Sequence, residues 1–392
     1  MMSTAQPTKR NPEPTIDEQG NTVLDWLRII GVIVGLELRQ RLRTTRWRIT
    51  LCVLFAFVSL GVLGSLYLAV NAFDATYREW TVNFYAILIS ILMFVGIILA
   101  PTLAATSING DRKDATLAVV QVTSITNWQL ALGKLFANWL ASLVVVLIAS
   151  PYLIWAITTS PYGVGPAILG VAILALLFLC YGGIGLGLSS LTSRPAGSAV
   201  LTQATVIFLI LGLPALFGLL YESTAERHDV VRQEYSYPSG YDDAGVCTDK
   251  VESVKFNHTE RIWWLLLPNP FTITADALAP HDGTRAADPD NWDTNGRSVA
   301  VDMSRLVSGA RTPPYIADLR CSDTQSVRYS RGGRSDTDSY WARERRHENS
   351  RVGDSWYLGL LVNLAIGAAG LLIAARRLRV PATKLSRGVR IA

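Results

Sequence analysis

Few residues in this chain are of a type and spacing that could do chemistry. Gly133-Lys134 is its one Gly-Lys pair. A phosphate-binding loop needs Gly-x-x-x-x-Gly-Lys-Ser/Thr, so that backbone amides wrap the phosphate and a hydroxyl reaches magnesium. Here Trp128 stands where the first glycine belongs and Leu135 follows the lysine, so no ATP hydrolysis is expected of the chain itself. The four histidines, His228, His258, His281 and His347, lack both i,i+4 pairing and cysteine spacing, and no metal is assigned to them. Gly182-Gly183-Ile184-Gly185-Leu186-Gly187 sits inside an apolar run instead of after a strand, which points to a packing or hinge face on a membrane helix and not to a dinucleotide turn. No catalytic residue, cofactor ligand or metal ligand is assigned.

The elements that carry these residues belong in a bilayer. Half of the 392 residues are hydrophobic and 17% are charged, with the apolar residues in long blocks. About 20 helical residues cross roughly 30 Å of hydrocarbon, and six blocks meet that length: Leu51 to Phe73, Trp80 to Thr106, Leu135 to Ile157, Pro166 to Leu188, Ala199 to Leu220 and Trp356 to Ala375. Pro101, Pro151 and Pro214 are expected to kink or end helices. The predicted fold is an all-α polytopic membrane protein: six transmembrane helices, an N-terminal interfacial helix, and a large extracytoplasmic insertion between helices five and six.

Lysines and arginines set the expected orientation, because short basic flanks stay in the cytoplasm. Arg39, Arg41, Arg43, Arg46 and Arg48 precede the first span, and Arg376, Arg377, Arg379, Lys384, Arg387 and Arg390 follow the last. Both termini are therefore placed in the cytoplasm of a plasma membrane. With that alternation the inner parts hold 18 Lys+Arg against 7 Asp+Glu and the outer parts 18 against 24. The net charge of +5 thus reads as topology, and Arg46-Trp47-Arg48 as an anchor to anionic lipid, not as a nucleic-acid surface.

Residues 1–21 are polar and proline-bearing and read as a disordered cytoplasmic tail without a cleavable signal. Residues 22–50 read as an amphipathic helix lying in the inner interface. Residues 51–220 hold the first five spans with a cytoplasmic loop at 107–134; 221–355 form the extracytoplasmic insertion, 356–376 the sixth span, and 377–392 a basic cytoplasmic tail. Within the insertion, 262–278 is an apolar interruption around Trp263, Trp264, Pro268, Asn269, Pro270 and Phe271. It is too short to span but could dip into the outer leaflet; a buried patch of a folded ectodomain is the other reading. Cys52 and Cys180 lie in spans, whereas Cys247 and Cys321 both lie outside, where an oxidising setting favours a disulfide between them.

The loop at 107–134 stands out. Asp111, Arg112, Lys113 and Asp114 open a short helical stretch that continues through Thr116, Leu117 and Val120; Thr123 to Thr126 break it, and Trp128 to Lys134 return to helix. A mere connector needs only to be polar, and apolar residues on such a loop suggest a docking surface. This loop, the Glu37-Leu38-Arg39-Gln40-Arg41 run of the interfacial helix and the six-span layout resemble the membrane subunits of bacterial ABC-2 type transporters, as does a re-entrant outer segment before the last span.

The resemblance implies that Asp111, Arg112, Lys113, Asp114, Thr116, Leu117 and Val120 dock a separate ABC ATPase subunit, with Glu37 and Arg41 in support. It implies two ATPase copies that carry ATP and magnesium, and a second permease that is a copy or a paralogue. The six apolar blocks contain no Asp, Glu, Lys, Arg or His, which disfavours ion coupling. Trp80, Phe84, Tyr85, Trp139, Trp155 and Tyr181, with Asn83, Asn138, Gln203 and Asn363, suit either a lining for a hydrophobic or amphipathic cargo or plain packing. Export of such a cargo is the expected function; the alternative is a mechanotransmitter that regulates an envelope process through the ectodomain.

Overall fold

The structure is a computed structural model that describes residues 22–113, 125–236, 246–281, 298–321 and 339–378. Helix α1 (Thr22–Leu42) has Asp25 in its first turn and Arg39 and Arg41 in its last, which complements the helix dipole. Val23, Leu24, Leu27, Val32 and Leu36 stay exposed on it, an apolar face that the chain itself does not cover. It ends at Leu42, short of the expected residue 50, because Arg43 and Thr44 turn the chain and Thr44 Oγ1 accepts from Trp47 N to start α2 (Thr45–Ala72). Arg46 and Arg48 therefore stand in the first turn of span one.

Among the described residues six helical segments are long and apolar enough to cross a membrane. After α2 come α3 (Tyr77–Ala105) with its extension α4 (Ser107–Lys113), then α5 (Asn127–Ile148) with a second piece, α6 (Ser150–Thr159). Next are α7 (Val164–Leu191) and a broken fifth span, α8 (Pro195–Ile207), a π turn (Phe208–Gly212) and α9 (Leu213–Leu220). The last span is α13 (Trp356–Arg377). Helix α7 is apolar on every side and sits centrally, against α3 and α13. Its glycines make that contact possible: a Cβ on Gly187 would stand 2.7 Å from Gly370 Cα and one on Gly185 2.6 Å from the Pro101 carbonyl, while one on Gly183 would collide with the Gly367 carbonyl. Close backbone approach of this kind is how small residues hold membrane helices together.

Trp80, Phe84, Tyr85 and Tyr181 are buried. The Trp80 and Phe84 rings stack at 4.4 Å, Trp155 meets Phe84 at 4.6 Å, and the Tyr85 hydroxyl donates to the Ala167 carbonyl. Of the two roles open to these aromatics, the chain itself uses packing.

The insertion is not helical throughout. It opens with an antiparallel hairpin, β1 (Ala225–Ser236) on β2 (Val246–Asn257), in a register that sets Ala225 opposite Asn257 and Tyr235 opposite Cys247. Charged residues on both faces hide the two-residue period from the sequence; among the hairpin side chains described, only Val230 is buried. Short 3-10 turns at Thr259–Arg261 and Trp263–Leu266 lead into α10 (Pro270–Leu278), followed by α11 (Val299–Arg311) and α12 (Tyr340–Glu348). Leu319 pairs by backbone with β1 through Val231 and Gln233, and Cys321 is disulfide-bonded to Cys247 at a Cα separation of 6.3 Å. Closing a loop of 74 residues stabilises such a unit by several kcal/mol in chain-entropy terms.

Candidate functional site

At one end of the bundle, three elements meet around Lys134. Thr126 and Gln129 form a capping box, Gln129 N donating to Thr126 Oγ1 at 3.3 Å and Thr126 N to Gln129 Oε1 at 2.8 Å. That fixes where α5 begins and turns Leu130, Gly133, Lys134 and Asn138 inward. Gly133 has no side chain because Ile33 of α1 occupies the space: a Cβ there would lie 2.7 Å from Ile33 Cγ2. With the helices this close, Lys134 is 3% exposed, its Nζ 2.7 Å from Glu37 Oε1 of α1 and 2.5 Å from Asp111 Oδ2 of α4. Arg41, one turn beyond Glu37, lies 3.8 Å from Glu37 Oε2 and donates to Asn138 Oδ1 at 2.5 Å.

The four charges sum to zero, as a buried cluster requires; an ammonium left alone there would cost several kcal/mol. Burial lowers the Arg41 guanidinium's hold on its proton, while Glu37 and then Asp111 act in the opposite direction. Helix α4 is pinned from its other side, where Ile108 and Asn109 amides donate to Ser189 Oγ of α7 and Asn109 Nδ2 to Thr192 Oγ1. Helices α1, α4, α5 and α7 are thus joined by ion pairs and hydrogen bonds.

Of the residues expected to dock a partner, Glu37, Arg41 and Asp111 are brought together here. Arg112 and Lys113 continue α4 by backbone, their side chains outside the described residues, as are Asp114, Thr116, Leu117 and Val120 altogether. Lys134 and Asn138 were absent from the expected set. The signal was present: a lone lysine in an apolar run, five residues after the Gln129 of Thr126-x-x-Gln129.

At the opposite end, the Pro268-Asn269-Pro270 corner is buried. Pro214 has no N–H to give the Ile210 carbonyl four residues back, and Asn269 Nδ2 donates to that carbonyl at 3.1 Å. Asn363 of α13 donates to the Pro268 carbonyl at 3.1 Å, and Gly359 leaves room for the Leu267 carbonyl, which a Cβ would approach to 2.6 Å. Asn269 also accepts from Phe271 N at 3.0 Å, capping α10. Arg311 lies over the Trp263 ring at 4.8 Å, whereas Trp264 is 56% exposed; the two tryptophans therefore face different surroundings.

Just beyond the corner, Asp276 is 1% exposed. Oδ2 accepts from Ser355 N, Ser355 Oγ and Trp356 N at 2.7, 2.7 and 2.9 Å, and Oδ1 from Ser304 Oγ and Gly353 N at 2.5 and 2.9 Å. A carboxylate at the first turn of α13 satisfies that helix's orphan amides and its dipole. This residue, missed from sequence, fastens the insertion to the last span.

A family model described as ABC-2 family transporter protein matches residues 32–274, which includes α1 from its middle, five spans, the Lys134 cluster and the buried corner. The comparison with curated proteins finds no match.

Proposed function

Since the chain belongs to the ABC-2 family of transporter proteins, as its membrane subunit, we propose that it exports a hydrophobic or amphipathic molecule with ATP hydrolysed by a separate ABC ATPase. The single observation that carries this reading is the Lys134 cluster, which ties the interfacial helix to both arms of the polar loop. A docking loop must pass force into the spans, and a buried ion cluster bridging three elements does so because it has one good geometry.

The loop faces the cytoplasm and both termini lie on that side, by the distribution of basic residues. Asp111, Arg112, Lys113, Asp114, Thr116, Leu117 and Val120 dock the ATPase, with Glu37 and Arg41 behind them. Two ATPase subunits serve two permeases; spans one and five are the ones least covered by the chain itself, which leaves them for lipid and a second permease. The protein resides in the plasma membrane of a bacterium, with ATP and magnesium on the partner.

A groove of about 320 Å³ between α2 and α3, lined by Phe57, Ala86, Ile87, Ile91, Phe94 and Val299 with Ser90 as its one polar side chain, supports cargo taken from the bilayer. It runs beside the Trp263–Phe271 segment's helix α10, whose Phe271, Thr274 and Leu278 line the adjoining pocket. We assign the corner as a re-entrant gate in the outer leaflet: its irregular backbone is satisfied by Asn269 and Asn363, as bilayer depth demands. The test is co-purification of the tagged chain from native membranes. Stoichiometric recovery of an ABC ATPase, abolished by the paired charge reversal Arg112→Glu and Lys113→Glu, is expected; recovery undiminished by the reversal removes the docking assignment.

A further inference from the structure

Outside this machinery, imidazoles and carboxylates converge at the root of the hairpin. Glu226 and His228 are two apart on β1, hence on one face, and the register brings the start of β1 beside the end of β2, where His258 follows. His228 Nε2 lies 3.0 Å from His258 Nε2, and Glu226 Oε2 3.5 Å from the same nitrogen. One ligand atom from each of the three lies within 4.8 Å of the other two.

The ring orientation is fixed from behind. His258 Nδ1 lies 2.8 Å from Glu260 Oε1, and a carboxylate acceptor places the imidazole proton on Nδ1, so Nε2 turns a lone pair toward His228 and Glu226. Carboxylate–histidine pairs of this kind orient metal-binding imidazoles. Arg261 Nη1 holds Glu226 Oε1 at 2.5 Å, leaving Oε2 for the cluster. Glu226, Glu260 and Arg261 together carry one negative charge, which favours a cation.

We propose that Glu226, His228 and His258 bind a divalent transition-metal cation, with zinc the best match and water in the fourth position. Two imidazoles and one carboxylate suit zinc, whereas calcium and magnesium take oxygen ligands. Tetrahedral bonds of about 2.0–2.1 Å put two nitrogens about 3.3 Å apart, so the imidazole pair opens by a few tenths of an ångström. The bound ion clips the strand leaving span five to the segment that enters the buried corner. Sequence spacing concealed this site, because its two halves are some 30 residues apart and meet only through the hairpin.

The test uses the full chain in nanodiscs, stripped with chelator and titrated with zinc chloride. One zinc per chain is expected, lost in the His228→Ala/His258→Ala double variant and ten- to hundredfold weaker in Glu260→Gln. A thermal unfolding midpoint equal to that of the metal-free parent chain reports that the variants are folded. Independently of any variant, zinc should shield His228 and His258 of the intact chain from diethylpyrocarbonate, read by mass spectrometry. Absence of stoichiometric binding, binding that survives in a folded double variant, or unchanged modification of both histidines would overturn the site.

Discussion

The side chains on which the structure turns are mostly those that look least remarkable in sequence. Lys134 reads as an interfacial cation, yet it is buried between carboxylates of two other elements; Glu37 and Arg41 were legible through the resemblance of the Glu37-Leu38-Arg39-Gln40-Arg41 run to the ABC-2 membrane subunits. Asp276 sits in an apolar helical stretch with no cation nearby in sequence, and its partners are three backbone amides 77 to 80 residues away and the hydroxyls of Ser304 and Ser355, which no local pattern can reveal. Its charge rests on five donors and a helix terminus, so Asp276→Asn keeps the shape and loses acceptor capacity. Thermal unfolding in detergent should show a loss of about 2–4 kcal/mol for these charge-assisted bonds; an unchanged midpoint would mean that the α13 terminus does not depend on the carboxylate.

At the scale of elements, hydropathy located all six spans, since length and apolarity alone define them. Pro151 and Pro214, expected to kink or end helices, stand where α6 and α9 begin; the π form of the turn before Pro214 and the hairpin left no such signal, the hairpin because charged residues occupy both of its faces. Pro214 and Asn269 were each visible, but their partnership across span five was not. Asn269→Ala orphans the Ile210 carbonyl and should destabilise by about 1–3 kcal/mol. Adding Pro214→Ala restores the missing N–H, so the double variant should recover part of the loss; equal or greater destabilisation would refute the compensation. The glycine face behaves differently because backbone contacts backbone. Gly187→Leu meets Gly370 of α13 and cannot be relieved by a rotamer, and about 1–3 kcal/mol of overpacking is expected, whereas Gly218→Leu on α9, with nothing within 4 Å, should be neutral by the same assay.

Taken whole, the molecule has two polar ends joined by a packed, glycine-seamed bundle: the Lys134 cluster at one, the disulfide-closed insertion with Asp276 and the buried corner at the other. The orientation proposed here puts Cys247 and Cys321 outside. Intact cells treated with an impermeant maleimide should label neither cysteine before reduction and both afterwards; labelling of Cys247 and Cys321 only after the membrane is opened would invert the topology. A continuous chain of contacts runs from the loop to the far end, through Ser189 on α7, the Gly187–Gly370 seam to α13, and Ser355 to Asp276, and it is the route along which the proposed docking would act. The measurement that tests this account most directly is ATP hydrolysis in proteoliposomes holding the chain with the ABC ATPase that co-purifies with it, compared with Lys134→Met. The account predicts that Lys134→Met still binds the ATPase but loses most of the hydrolysis supported by the unaltered permease, while full hydrolysis with the methionine variant would contradict transmission through Lys134.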